Sequence, residues 1–306
     1  MKKIMVTGAS GLLGSKILRM FKSDFEMVGG FNLHPFELSG VETVFMDITN
    51  PSQTIETIIR HSPDLVIHSA AYRDIDHCQQ HPGAAWKVNV DGTRNVFNGC
   101  NEVNAKMVLI STDMVFSHRP EGMYRITSEL NPMNYYGKTK VEAEKLTMSN
   151  DRNAVARVSL LYGWHTLKLR SDFVRWVVES VKNEKSVTLF QDQFRNVTFI
   201  DHVAEALIEI FKKSKNGIFH IAGNECIDRF EFGKKICKVF ELNEQYIKPI
   251  NSDDSEWVAE RPKRCCMDIS KTVSELDVEI NDIETNLNIM KTQRSGAGSG
   301  EQGAGT

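Results

Sequence analysis

The sequence predicts an α/β fold in which a doubly wound parallel sheet of the Rossmann type carries a smaller, mixed substrate lobe towards the C-terminus. Short apolar runs alternate with amphipathic stretches of helical period through the first half of the chain. Such alternation is typical of parallel strands covered by helices on both faces. The first apolar run ends in a glycine-rich turn, as expected where a strand leads directly into a helix. After residue 162 the pattern becomes irregular.

Six strands and three helices are expected in the first part of the chain. The helical patterns cover residues 12–22, 51–61 and 84–104. The strands are the apolar runs "KIMVTG", "EMVGGF", "TVFMD", "DLVIHSA", "KMVLIST" and "NAVARVS". Because each run has the length of a buried strand and helical patterns lie between them, we expect a parallel sheet covered by helices on both faces.

The later part of the chain predicts a lobe of mixed composition. We expect a helix near 171–184, a strand at 187–190, a helix after Asp201, the strand "GIFHIAG" and a helix near 228–241. We therefore expect residues 1–162 to form a dinucleotide-binding domain. Residues 163–290 should form mainly a substrate-binding lobe, with some segments returning to the sheet. Residues 291–306 are rich in Gly, Ser and Ala and are expected to be disordered.

Composition excludes several classes of protein. The chain has 306 residues, of which 41% are hydrophobic, enough for one large domain or a domain with a lobe. Its net charge of −3 argues against a nucleic-acid binder. No apolar stretch approaches the ~20 residues that span a bilayer, and we expect a cytoplasmic protein without a metal site. The six cysteines include no Cys-x-x-Cys pair and are expected to be reduced thiols.

The stretch "TGASGLLG" follows the first strand and predicts a dinucleotide site. Its glycines recur at every third position, where a sharp turn and a close approach of the backbone to a pyrophosphate require them. The helix that follows presents free N–H groups and its positive dipole end to that anion. The residues predicted to contact the cofactor here are Gly8, Ser10, Gly11, Leu12 and Leu13.

The end of the second strand bears on the choice between NADP and NAD. Asn32 and His34 stand where a carboxylate would bind the adenosine ribose, and neither is acidic. The missing carboxylate removes a repulsion against NADP, but no Lys or Arg lies between Lys22 and Arg60 to receive a 2′-phosphate. The sequence favours NADP and leaves NAD open.

Three further segments are predicted to line the cofactor. Asp47 and Ile48 follow the third strand, where a carboxylate can meet the adenine amino group; as an alternative, Asp47 could cap the helix that begins near Pro51. Small residues at the end of the fourth strand would let the backbone pass close to the cofactor. These small residues are Ser69, Ala70 and Ala71. Asn89 in "VNV" is a further candidate, which could contact the cofactor or make a purely structural polar contact.

The stretch "YYGKTK" offers two tyrosine–lysine pairs. Hydride transfer to a carbonyl leaves an alkoxide that needs a proton, and a tyrosine can supply it if a nearby ammonium lowers its pKa from about 10. Tyr136 and Lys140 are four residues apart, and Tyr135 and Lys138 are three apart, so either pair shares a helix face. Helix geometry leaves both pairs open. Strand five ends in hydroxyls, which the same crevice would bring to the substrate carbonyl.

Together, "TGASGLLG", "SAAYRDIDHCQQHP", "VNV", "STDMVF" and "YYGKTK" resemble an extended short-chain dehydrogenase/reductase, most of all the dTDP-4-dehydrorhamnose reductase family, over roughly residues 3–290. The resemblance implies that Thr112, Tyr136 and Lys140 are catalytic and that Lys140 also holds the nicotinamide ribose. It implies an NAD(P)H-dependent reductase acting on a 4-keto-6-deoxy nucleotide sugar.

The substrate side is predicted from the same resemblance. Arg195 and Arg261 are expected to bind the diphosphate, since a guanidinium fork suits two phosphate oxygens; solvated surface arginines are the alternative. Other residues would line the sugar. Those residues are Tyr72, Thr112, Asp113, Val115 and Phe116.

Two departures keep other functions open. Leu160 stands where the rhamnose-pathway reductases carry a tryptophan that packs on the sugar. The chain also resembles the regulatory beta subunit of methionine adenosyltransferase, which implies a non-catalytic NADP-binding protein with a partner enzyme. A nucleotide-sugar epimerase or dehydratase is a third reading, although a dehydratase would carry a carboxylate pair where only Asp113 stands. A homodimer is compatible with all three.

Overall fold

The structure, a computed structural model, describes residues 1–167 and 172–296. Strands and helices alternate through the first part of the chain. They are β1 (Lys3–Thr7), α1 (Leu12–Phe21), β2 (Glu26–Phe31), β3 (Glu42–Phe45), α2 (Pro51–His61), β4 (Leu65–His68), α3 (Ile75–Gln80), α4 (Pro82–Trp86), α5 (Gly92–Glu102), β5 (Lys106–Thr112), α6 (Tyr135–Thr147) and β6 (Ala154–Val158). A π-helical turn over Lys87–Asp91 joins α4 to α5, so the single helix expected at 84–104 is a helix with a π-turn inside it.

The remaining elements form the lobe and complete the sheet. They are β7 (Leu161–Tyr162), α7 (Phe173–Lys182), β8 (Val187–Phe190), β9 (Arg195–Asn196), β10 (Thr198–Phe199), α8 (Ile200–Lys212), β11 (Gly217–Ile221), β12 (Cys226–Ile227), α9 (Arg229–Phe240), β13 (Ile247–Ile250), α10 (Ser270–Glu275) and α11 (Ile283–Gly296).

Seven strands form one parallel sheet in the order β11-β6-β5-β4-β1-β2-β3. This confirms the predicted Rossmann-type α/β fold. The chain moves outwards from β1 to β2 and β3 on one side and then crosses to β4 on the other. The crevice between the carboxyl ends of β1 and β4 is therefore the topological switch point, where ligands bind in open sheets of this kind.

Helices cover both faces of the sheet because its central strands are apolar on both sides. All four residues of β4 are buried. On one face α1 and α8 pack together, and the Nζ atom of Lys16 lies 2.8 Å from a carboxylate oxygen of Asp201 between them. On the other face α2, α5 and α6 cover the sheet. The residues after 162 thus contribute α8 and β11 to the sheet layers.

The lobe has a core of its own. Helices α7, α9 and α11 enclose the parallel pair of β8 and β13 around Tyr162 and Phe232, both fully buried. Short strand pairs, β7 with β10 and β9 with β12, connect the lobe to the edge of the crevice. The division of the chain at residue 162 stays a prediction.

The C-terminal segment is helical where the sequence predicted disorder. Helix α11 continues to Gly296, because Leu287 and Met290 on its inner face are fully buried in the lobe core. The expectation of a disordered tail is therefore wrong for residues 291–296, and residues 297–306 lie outside the described part of the chain.

The expectation of six reduced thiols is also wrong. Cys226 on β12 forms a disulfide with Cys266, and Cys78, Cys100, Cys237 and Cys265 are free and buried. The sequence could not reveal this pairing because it depends on a long-range contact. The segment around Cys266 lies beside β9, which pairs with β12, and brings the two Cα atoms to 5.9 Å, a separation that a disulfide spans.

Reduction of this disulfide is expected to lower the free energy of unfolding by about 2–5 kcal/mol, because it releases a constraint across 40 residues of the unfolded chain. Urea unfolding with and without a dithiol reductant measures the change. The Cys226→Ser variant is the control and should not respond to reductant. A thiol count of six in the native protein would contradict the pairing.

Candidate functional site

The turn after β1 is held in place by the end of β4. Gly8 has a φ of +66°, a conformation that residues with a side chain rarely adopt. A Cβ atom on Gly8 would lie 2.8 Å from the backbone nitrogen of Ala70. The two loops that line the switch point therefore touch through their backbones, and only glycine fits there.

Helix α1 begins close beneath this turn. A Cβ atom on Gly14 would lie 2.6 Å from the carbonyl oxygen of Gly8, whereas one on Gly11 would meet only that oxygen, at 3.1 Å. Gly11 is exposed at the N-cap and no side chain caps the helix, so the N–H groups of its first turn face the crevice. Ser10 and Leu12 are half-buried, but Leu13 packs in the core and can contact a ligand only through its backbone.

A buried histidine connects the two loops with α5. The Nδ1 atom of His68 lies 2.7 Å from Oγ1 of Thr7, and its Nε2 atom lies 3.1 Å from Oγ1 of Thr93. Thr93 already donates its proton to the carbonyl of Asn89, so Nε2 must donate and Nδ1 must accept. Burial and the charge of Lys140 lower the pKa of His68 to about 3, which keeps the ring neutral. A histidine at the end of a buried strand, directly before "SAA", is the sequence feature that could have indicated this link between the loops.

Asn89 holds the loop after β4 rather than facing the crevice freely. Its side chain accepts a hydrogen bond from the Tyr72 backbone N–H at 2.7 Å and donates to the Tyr72 carbonyl at 3.0 Å and to Oγ1 of Thr139 at 3.0 Å. Ser69 donates to the Thr7 carbonyl at 2.7 Å. The predicted cofactor loop, from Ser69 through Ala71, is thus fixed at both ends. Tyr72 is half-buried, and its hydroxyl hydrogen-bonds Nδ1 of His77.

The adenosine end is more open. Asn32 is exposed and Asp47 is half-buried. One oxygen of Asp47 accepts hydrogen bonds from the backbone N–H and the hydroxyl of Thr49. Asn50 caps α2, so the alternative role of Asp47 as that cap is wrong. The side chain of Ile48 is buried, and its carbonyl accepts a hydrogen bond from Asn95 at 2.8 Å.

The structure distinguishes the two tyrosine–lysine pairs. Lys140 is 2% exposed and Lys138 is exposed to solvent. Tyr136 is half-buried and lies beside the hydroxyl of Thr112 at the carboxyl end of β5. Tyr135 begins α6 and is tied through its backbone N–H to Gln79. The pair that faces the crevice is therefore Tyr136 with Lys140, next to the hydroxyl of Thr112.

The electrostatics of this pair differ from the expectation. Burial raises the pKa of Tyr136, as do the charges of Asp113 and Cys78, while Arg73 and the neighbouring hydroxyl of Thr112 lower it. The net direction is upward, opposite to the predicted lowering, because burial outweighs the favourable neighbours. The phenol is therefore protonated at neutral pH and able to donate.

Burial and a second buried network act on the lysine in opposite directions. Burial lowers the pKa of Lys140 to about 8, and the carboxylate of Glu144 opposes that change. Glu144 is buried one helical turn further on and pairs with Arg157, whose Nη2 atom lies 2.7 Å from Oε2. Ser111 also donates to Glu144. The arginine inside the apolar run "NAVARVS" is the sequence feature that could have indicated a buried ion pair here.

Asp113 lies at the centre of the substrate side. It is 4% exposed, accepts a hydrogen bond from the hydroxyl of Ser159 at 2.7 Å, and pairs with Nε of Arg195 at 3.3 Å. Val115 and Phe116, which were predicted to line the sugar, have no exposed surface and lie in the core. Their side chains cannot reach a ligand in the crevice, because the turn after β5 directs them inwards.

The two predicted diphosphate ligands already have partners within the protein. Arg195 is 3% exposed, so the alternative of a solvated surface arginine is wrong for it. Its nitrogens also donate to the carbonyls of Phe194 and Pro262. Arg261 forms a bidentate pair with Asp76, at 3.1 and 2.9 Å.

The described residues contain neither a metal-binding cluster nor a membrane-spanning helix. Across residues 1–167 and 172–296, no group of three or more His, Cys, Asp or Glu side chains could hold a metal ion. His77 and His81 are four residues apart with ring centroids at 4.2 Å, a spacing that the sequence analysis overlooked, but they form only a pair. No helix in the same ranges is long and apolar enough to cross a membrane.

Comparisons with known proteins agree with this geometry. The sequence model of the family described as RmlD substrate binding domain matches residues 1–294. The probable low-salt glycan biosynthesis reductase Agl14 of Haloferax volcanii is 29% identical over 289 residues, which are 92% of this chain and 95% of that protein. Methionine adenosyltransferase 2 subunit beta of Pongo abelii is 31% identical over 280 residues, 88% and 81% of the two chains.

A solved structure is similar over its whole length. The dTDP-4-dehydrorhamnose reductase of Bacillus anthracis, solved in complex with NADP, has a TM-score of 0.84 against this fold, with 26% identity. The match covers 96% of this chain and 100% of that one.

Proposed function

This chain belongs to the RmlD substrate-binding-domain family, and on that premise we propose that it is an NADPH-dependent reductase of the ketone of a 4-keto-6-deoxy nucleotide sugar. The observation that carries the proposal is the proximity of Tyr136 to the hydroxyl of Thr112 at the carboxyl end of β5, with the buried Lys140 one turn further along α6. This group lies in the crevice that also holds the glycine turn. A proton donor and a dinucleotide cradle thus share one site.

The cradle fits a dinucleotide. A Cβ atom at Gly8 would collide with Ala70, so the backbone of this turn is bare where a pyrophosphate would lie against it. The uncapped first turn of α1 offers N–H donors to the anion. When bound, NADPH supplies the hydride that reduces the ketone.

The protein's own groups then handle the proton. Tyr136 holds its proton at neutral pH because burial raises its pKa, and it donates that proton to the oxygen of the reduced ketone. Thr112 orients the same oxygen through its hydroxyl. Lys140 offers an ammonium to the nicotinamide ribose and to the phenolate that remains after proton transfer.

The proposal is tested by mixing the purified protein with NADPH and a panel of 4-keto-6-deoxy nucleotide sugars and recording the oxidation of NADPH. We expect turnover with at least one member and a deoxy sugar carrying a new hydroxyl at C4 as product. The absence of turnover with every member, by protein that still binds NADPH, would refute the reductase.

A second candidate is a regulatory subunit, favoured by the identity of 31% to methionine adenosyltransferase 2 subunit beta. In that case the dinucleotide would stabilise a surface for a partner enzyme. The discriminating result is a stable complex with a methionine adenosyltransferase catalytic subunit in gel filtration, together with no turnover in the sugar panel.

Binding of NADPH is expected to weaken as the pH rises through about 8. The pKa of Lys140 is lowered from 10.5 to about 8, so its ammonium is present below that pH and lost above it. Between about pH 7 and about pH 9.5 the Kd should rise by up to about tenfold per unit above the pKa. Calorimetric titrations measure this, and the Lys140→Met variant should show a weak, flat profile. A wild-type profile as flat as that of the variant would contradict the role of Lys140.

A further inference from the structure

Arg229, the first residue of α9, was not singled out by any sequence motif. Its Nε atom is buried and has no hydrogen-bond acceptor among the residues that the structure describes. Its guanidinium carbon lies 5.9 Å from the centre of the Phe190 ring. A buried guanidinium nitrogen without an acceptor is costly, which points to an external partner that supplies one.

The charges around Arg229 are unbalanced. Burial lowers the pKa of Arg229 to about 10, and the nearby charges of Arg195 and Arg261 add to that effect, while Asp113 opposes it. Arg195 is committed to Asp113, and Arg261 to Asp76. The three guanidinium groups therefore face two carboxylates, and Arg229 is the member of this group that lacks a carboxylate of its own among the described residues.

Gln193 carries a second buried donor, on the segment that leads into β9. Gln193 is 1% exposed, and its Nε2 atom has no acceptor among the described residues. In the antiparallel pair of β9 and β12, Ile227 faces Arg195. Gln193 is two residues before Arg195, and Arg229 is two residues after Ile227, just beyond the Asp228 cap of α9. Two buried donors without acceptors thus belong to segments joined by one strand pair.

Aromatic rings wall this group and connect it to Arg261. The rings of Phe190 and Trp257 lie 4.5 Å apart, and the guanidinium of Arg261 stacks on Trp257 at 4.1 Å. Arg229 lies over the other ring, that of Phe190. Because aromatic walls exclude water, a charged ligand here would interact more strongly than at an open surface. The surplus of positive charge selects an anion with several acceptor oxygens.

We propose that Arg229, assisted by Gln193, binds the diphosphate of a nucleoside diphosphate substrate, and that Arg195 and Arg261 position this site through their carboxylate partners. The inference rests on the proposed function, because it places the anion of that substrate. It changes the expectation from the sequence, in which Arg195 and Arg261 were the diphosphate ligands. Those two side chains would have to break existing ion pairs to bind phosphate, of which the pair of Arg195 is buried, whereas Arg229 has none to break among the described residues.

The test is calorimetric titration of the full chain with dTDP and with inorganic pyrophosphate. Arg229→Met is expected to weaken dTDP binding about ten- to a hundredfold, the range of a charged hydrogen bond. The dTDP affinity of Arg229→Lys should lie between those of the wild type and Arg229→Met, because lysine keeps the positive charge and loses the two-pronged donor geometry of the guanidinium. Gln193→Leu should weaken binding less. The affinity for NADPH should not change in any of them.

Arg60→Met is the matched control, because Arg60 is an exposed arginine on α2, and it should bind dTDP like the wild type. The site is overturned if Arg229→Met and Arg229→Lys both bind dTDP like the wild type, or if the wild type binds neither probe. Failure of the site and failure of the reductase are distinguishable. Turnover with an unchanged KM in Arg229→Met refutes the site alone, and Arg229-dependent binding of dTDP without turnover refutes the reductase alone.

Discussion

Replacing Tyr136 by Phe is expected to reduce kcat about 10²–10⁴-fold, the usual contribution of a positioned general acid. The substitution keeps the half-buried ring and removes the hydroxyl that lies beside Thr112. The affinity for NADPH should change little, because the phenol gives up its proton only during the reaction. Steady-state kinetics with a nucleotide sugar that the wild type reduces, and titration with NADPH, measure the two effects separately.

Tyr135→Phe is the matched control, with the same chemical change one residue earlier on the same helix. It should be nearly silent, because the lysine on its side of the helix, Lys138, is exposed to solvent. An inactive Tyr135→Phe together with an active Tyr136→Phe would show that the other pair does the chemistry.

The sequence predicted the parts of the site that depend on local spacing. A glycine turn between a strand and a helix, and a tyrosine four residues before a lysine, are patterns in which every member lies within one turn or one helix. The sheet was predictable for a related reason: parallel strands need crossover helices, and the alternation of the two is written along the chain. These expectations agree with the order of the seven strands.

The substrate side was harder to predict from the sequence, because the residues that pair there are far apart along the chain. Arg195 meets Asp113 across 82 residues, and Arg261 meets Asp76 across 185. No local sequence pattern shows that these two guanidinium groups are paired with carboxylates and that Arg229 has no such partner among the described residues. The prediction that Val115 and Phe116 line the sugar was wrong for a different reason. The short turn after β5 changes the direction of the side chains within one or two residues, and both lie in the core.

The pKa of a buried ionisable group likewise depends on the folded state. A tyrosine beside a lysine suggests a lowered phenol pKa, but the sequence does not show how deeply either group is buried. Here burial is the largest influence on both, raising the pKa of Tyr136 and lowering that of Lys140. The role of proton donor survives this reversal, because a phenol that stays protonated at neutral pH has a proton to give.

Replacing Gly11 by Val is expected to weaken NADPH binding at least about a hundredfold, or about 2.7 kcal/mol, while the fold remains intact. Gly11 has extended backbone angles that any residue adopts. Its added Cβ atom would meet only the carbonyl oxygen of Gly8, at 3.1 Å, so a shift of a few tenths of an ångström accommodates it. The isopropyl group would then occupy the N-terminus of α1, where the pyrophosphate is expected to accept N–H hydrogen bonds.

Calorimetric titration with NADPH and NADH, accompanied by thermal unfolding, separates loss of binding from loss of structure. Gly83→Val is the matched control, since a Cβ atom on Gly83 has nothing within 4 Å, and it should leave both affinities unchanged. Gly8→Val is the contrasting variant and should lower the melting temperature, because it forces a branched residue into a φ of +66° against Ala70. Undiminished NADPH binding by Gly11→Val would remove the pyrophosphate from this turn, and an affinity for NADH tenfold above that for NADPH would reverse the predicted preference for NADP.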